Sequence, residues 1–143
     1  MRPRYENQKT LAAETKFKES LEARFNVEFQ KLPISYRADF AVIKDGEVTG
    51  FAELKNRNVD YETYPTLILS LSKYQAMELL TPYGSPVLFV RFNDGYYMYT
   101  FDSLSTRIEV GGRWDRDDWQ DVEPVVHIPR SYLKQIHYDD TTE

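Results

Sequence analysis

The chain has 143 residues, 41% hydrophobic and 15% aromatic, which suits one globular domain and excludes a disordered or low-complexity chain. With no cysteine and two histidines it has no disulfide framework, no thiolate zinc site and no cysteine nucleophile. The net charge of −5 is uneven: residues 1–60 hold 11 Lys/Arg against 10 Asp/Glu, and residues 61–143 hold 7 against 13. The overall acidity therefore says little about what the first half touches.

The start, MRPRYENQKT, has no apolar core, and stretches such as Pro86–Val90 are too short to cross a bilayer. A soluble, intracellular protein is expected. Residues 9–25 read as an amphipathic helix. With Leu11 as origin, Phe17, Leu21 and Phe25 fall at roughly 240°, 280° and 320°, and Glu14 sits among them at about 300°. A carboxylate in an apolar stripe is costly unless it is paired, hydrogen-bonded or bound to a metal. A short strand follows from Asn26. Arg37–Lys44 and Val48–Lys55 read as two strands of a hairpin closed at Asp45-Gly46.

An apolar run, Thr66–Leu69, precedes a second helix expected from an N-cap at Ser72 through Leu80. Pro86–Phe92 and Tyr96–Phe101 make a second hairpin. Residues 106–128 read as strands around a polar Gly111–Asp121 loop, and Ser131–Ile136 as a short closing helix. The pattern is an α/β (α+β) architecture, a mixed sheet flanked by helices in the order α-β-β-β-α-β-β.

The chemistry concentrates in the first hairpin. In Phe51-Ala-Glu-Leu-Lys55 the side chains of Glu53 and Lys55 share one face, and Asp39 lies on the partner strand. Two carboxylates with a lysine suit a divalent cation and a phosphate, although an exposed sheet face with cross-strand ion pairs would use the same residues. Parity decides whether the acids meet. A two-residue Asp45-Gly46 turn sets Asp39 opposite Ala52 and points it away from Glu53. A three-residue loop with Gly46 at positive φ, or a compensating bulge near Gly50, restores the shared face.

Arg37-Ala-Asp39-Phe followed by Glu53-Leu-Lys55, with Glu14 on the preceding helix and Ser72-Lys73-Tyr74-Gln75 opening the next, resembles the PD-(D/E)xK nuclease superfamily. The likeness is to archaeal Holliday junction resolvases and small phage-encoded nucleases, and covers roughly residues 9–101. Ala38 stands where the motif has its proline.

The resemblance implies a restriction-endonuclease-like fold and Mg²⁺- or Mn²⁺-dependent hydrolysis of phosphodiester bonds in structured or branched DNA. It implies Asp39, Glu53, Leu54 and Glu14 around the metal, Lys55 positioning the nucleophilic water, and Lys73 and Gln75 as auxiliary residues. A homodimer in the cytoplasm is expected, a host's if the chain is phage-encoded. Beside the site, Arg37 and Arg57 are candidates for phosphate contacts, and Tyr61 and Tyr64 for stacking on bases. The alternative is a catalytically inactive fold of this type serving as a nucleic-acid-binding or protein-interaction module. The core is expected over 9–101 and an irregular extension over 102–143 of a single domain.

Overall fold

A computed structural model describes residues 8–33, 38–101, 107–112 and 122–137. Helix α1 (Gln8–Phe25) is followed by β1 (Glu28–Lys31), β2 (Phe40–Lys44), β3 (Glu47–Asn56) and β4 (Thr66–Ser70). Helix α2 (Leu71–Glu78) leads to β5 (Ser85–Phe92), β6 (Gly95–Thr100), β7 (Arg107–Gly112), β8 (Val122–Pro129) and β9 (Lys134–Ile136). The main sheet runs β1-β2-β3-β5-β6-β9, antiparallel except for the central β3–β5 pair, and a smaller antiparallel sheet runs β4-β8-β7. The mixed α+β architecture expected from the sequence is present, with more strands than anticipated.

Alternation along β3 sets the two faces of the main sheet. Ala52 and Leu54 point to one side, where α1 lays Phe17 and Leu21 against Phe29, Phe40 and Phe89. Phe17 meets Tyr96 at 5.4 Å and Phe25 meets Phe89 at 5.9 Å between ring centroids. Phe51 points to the other side, into a larger cluster that α2 and the small sheet close with Met77, Leu67, Leu69, Val126 and Ile128. In the parallel pairing Glu53 lies beside Leu88 and Lys55 beside Val90, two residues of that larger cluster. The candidate polar pair thus shares its face with buried aliphatic side chains.

Two sequence expectations shift, and an alternative left open at the hairpin is decided. Helix α2 is capped by Ser70, whose hydroxyl accepts from the Lys73 amide at 3.1 Å, two residues before the expected Ser72. β4 ends at that same residue, so the first unsatisfied amides of the helix lie beside Ser70 rather than Ser72. The expected closing helix over 131–136 is instead a 3₁₀ turn at Arg130–Tyr132 followed by β9, which pairs with β6 through Tyr96↔Ile136. The hairpin is closed by a two-residue turn, with Asp45 and Gly46 at φ 54° and 80° as a type I′ turn requires, and not by a three-residue loop.

The register then slips. Ile43 faces Val48 but Val42 faces Gly50, leaving Thr49 as the extra residue of a bulge, and Phe40 comes opposite Ala52. Gly50 is needed there because a Cβ would lie 2.6 Å from the carbonyl oxygen of Ser85 on β5. The loop Gly111–Asp121 lies largely outside the described residues.

Candidate active site

The pairing ends at Phe40↔Ala52, and the same slipped register continued by one residue sets Asp39, just before β2, level with Glu53. Just past β1, the Leu32 amide donates to the Asp39 carbonyl at 2.9 Å and holds its backbone. The Asp39 carboxylate accepts from the amide of Leu54 at 3.4 Å, so the strand carrying Glu53 also fixes Asp39. The structure therefore places Asp39, Glu53 and Lys55 together. From α2, Lys73 reaches across so that its Nζ lies 3.2 Å from Glu53 Oε1.

Electrostatics follow from this burial. The Glu53 side chain is 13% exposed. Desolvation pushes its carboxyl above the ordinary value, the Asp39 charge adds to that, and Lys73 and Lys55 oppose it. The Lys55 ammonium is pushed below its usual value, first by burial and then by Arg57, with Glu53 holding it up. Burial also lowers Arg57. A lysine whose charge is disfavoured beside two crowded carboxylates suits the positioning of a water molecule and the movement of a proton. The donor set suits a hard divalent cation, which would reverse the repulsion between Asp39 and Glu53.

Other expected members lie elsewhere. Glu14 is half-buried on α1, the helix that covers the Ala52–Leu54 face. Among the described residues no three acidic or imidazole side chains converge, so Glu14 does not join Asp39 and Glu53. Gln75 is exposed, since two residues turn a helix by about 200° and Lys73 faces the sheet. Tyr61 packs within the protein, stacked on Tyr97 at 4.2 Å with its hydroxyl donating to the Arg130 carbonyl at 2.6 Å, whereas Tyr64 is 61% exposed. Arg37 lies outside the described residues. Sequence reasoning named Lys73 as an auxiliary residue but missed its pairing with Glu53, because the contact joins α2 to β3 across the sheet face and no spacing along the chain encodes it. With Ser70 as cap, Lys73 stands in the first turn of α2, directly over Glu53.

The sequence profile described as "Phage putative PDDEXK endonuclease" matches residues 1–136. The chain belongs to this family. The chain of this PD-(D/E)xK endonuclease reads Glu53-Leu54-Lys55 on β3, with Asp39 just before β2. The PD-(D/E)xK endonuclease also superposes on Archaeoglobus fulgidus Hjc, a Holliday junction resolvase from an archaeal hyperthermophile, with a TM-score of 0.53. Identity is 11% over 88% of this chain and 94% of that one, a likeness of fold. No sequence match was found among curated proteins. Among the described residues no helix of the nuclease is long and apolar enough to cross a membrane.

Proposed function

We propose that this nuclease hydrolyses phosphodiester bonds in DNA with Mg²⁺ or Mn²⁺, and that its substrate is branched or otherwise structured. The observation that carries the reading is the convergence of Asp39, Glu53 and Lys55, secured by the bulge at Thr49. Asp39 and Glu53 would hold the metal. The carbonyl of Leu54 belongs to the same set, because the Leu54 amide already points at Asp39. Bound there, the ion supplies Lewis-acid polarisation of the phosphate. Lys55 holds the attacking water and takes part in its deprotonation as the new P–O bond forms and the leaving oxygen departs. Lys73 balances the charge of Glu53 and stands ready for a phosphate oxygen.

Glu14, on the helix that covers the opposite face, takes no part in this reading as a ligand, and Gln75 is peripheral. Arg37, Arg57 and Tyr64 complete the proposed DNA-contacting set. Junction cleavage needs two symmetric cuts, which supports a homodimer, and the main sheet running from β1 to β9 supports a single domain. The archaeal resolvase likeness supports the branched substrate.

The test is cleavage of four-way junction, flap, single-stranded and duplex DNA with Mg²⁺ and Mn²⁺. Divalent-dependent cutting that favours the branched substrates is expected, and no cutting of any substrate with either ion defeats the reading. One observation favours an idle binding module instead: the Lys73 ammonium already lies against Glu53. Calorimetric titration with Mn²⁺ separates the two, since a module without catalysis takes up no ion that Asp39→Asn abolishes.

A further inference from the structure

At the exit of β3, between the main sheet and the β4–β8 strands, lies a cavity of about 580 Å³, a volume ordinary for small-ligand pockets. Its wall continues the candidate site. Arg57 follows Lys55 by two residues, about 6.6 Å along the chain, and lines the cavity.

Two guanidinium groups are anchored on this wall by backbone carbonyls. Arg57 Nη2 donates to Ile68 O at 3.1 Å, and Arg130 Nη1 donates to Glu62 O at 2.7 Å. A guanidinium has five N–H donors, so these bonds orient the groups and leave capacity for a ligand. One carboxylate, Asp60, stands against the two cations. The rest of the wall offers ring and aliphatic surface: Tyr64 is 61% and Ile68 47% exposed. A polar edge is present where Thr66 Oγ1 and His127 Nδ1 lie 2.8 Å apart.

Oriented cationic donors beside unsatisfied stacking surface match the two halves of a nucleotide. We infer that this cavity receives one unpaired nucleotide of the substrate strand, its base against Tyr64 and Ile68 and its phosphate at Arg57 and Arg130. The inference rests on the nuclease reading for its substrate and gives that reading a physical basis for choosing branched DNA. A fully paired duplex keeps its bases stacked and cannot fill the cavity, whereas a flap, or any branch with a single-stranded segment, offers an unpaired base at low cost.

The test uses a flap DNA carrying one 2-aminopurine at the unpaired position, a matched duplex, and the full-length protein in EDTA. Wild type should bind the flap more tightly than the duplex and change the fluorescence of the reporter base. The double variant Tyr64→Ala, Ile68→Ala, altered at two exposed positions and checked by circular dichroism, should lose roughly tenfold of that preference. Equal loss on flap and duplex, an unchanged preference, a silent reporter or no binding by wild type each overturns the inference. Because no cleavage is needed, the two readings fail separately. A wild type that shows the preference but never cuts with Mg²⁺ or Mn²⁺ defeats the nuclease reading alone. One that cuts with its preference untouched by the variant defeats the cavity alone.

Discussion

Lys55 stands beside Val90 at the carboxyl end of the parallel pair, its ammonium disfavoured by burial and by Arg57. Replacing it with alanine removes a charge that the folded state holds at a cost, so Lys55→Ala should change unfolding free energy by no more than about 1 kcal/mol. The same variant should abolish cleavage while Mn²⁺ affinity by calorimetry stays near wild type; retained wild-type turnover would make Lys55 a bystander. Glu53→Gln behaves differently. The folded protein holds the Glu53 proton more tightly than the unfolded chain does, so wild type loses stability as pH rises from the ordinary carboxylate value through the raised one. In EDTA, Glu53→Gln should therefore match or exceed wild-type stability at pH 7 and forfeit that advantage near pH 4, as read by thermal melts. Its metal affinity should fall. A melt difference independent of pH would show that the Glu53 carboxyl is not perturbed by folding.

The β2–β3 hairpin is the element on which the site depends. Asp45-Gly46 made the hairpin legible from sequence, as the pattern Leu11, Phe17, Leu21 and Phe25 made α1. The register was legible only as a condition, because the bulge at Thr49 arises from the approach of Ser85, a residue 35 positions after Gly50. No local pattern encodes such a contact. Local chemistry pointed to Ser72 as the cap of α2, and it is the end of β4 at Ser70 that moves the cap two residues earlier. Glu14 shows the limit of a helical wheel, which marks a stripe but not which sheet face that stripe will cover. Gly50→Ala tests the element directly. The added Cβ meets backbone, so the strands must part or the bulge must migrate, at a cost of about 1–3 kcal/mol. Migration by one residue would turn Asp39 away from Glu53. The variant should lose cleavage far beyond its loss of stability, and proportionate losses would show that the bulge does not govern the site.

Across the whole molecule, residues after Phe101 belong to both hydrophobic clusters. Val126, Ile128 and Leu133 fill the larger, and Ile136 closes the smaller from β9 on the outer edge of β6. This was not visible in the sequence, where a three-residue strand carries no periodicity and β8 acquires its partner β4 from about 60 residues upstream. A chain ended after Phe101 should show no cooperative thermal transition by calorimetry. Within the full-length protein, Ile128→Ala, at a fully buried position, should cost about 2–5 kcal/mol. A truncated chain that melts cooperatively would restore 9–101 as a self-sufficient core.

The β4–α2 segment is the crossover that any parallel β3–β5 pair demands, and β4 finds its strand partner in β8. Order of synthesis turns that connectivity into a timetable. All of the main sheet except β9 can leave the ribosome while β4 still lacks its neighbour, so the aromatic face under α2 waits with its cover incomplete. At translation speeds of about 5–20 residues per second, this interval lasts on the order of seconds, long compared with the microseconds in which a hairpin forms. The nascent chain thus passes through a stage with its acid-bearing hairpin made and the small sheet still open. Rare codons or a pause between residues 101 and 122 would lengthen that stage and expose the apolar face to aggregation, whereas rapid delivery of β8 would shorten it.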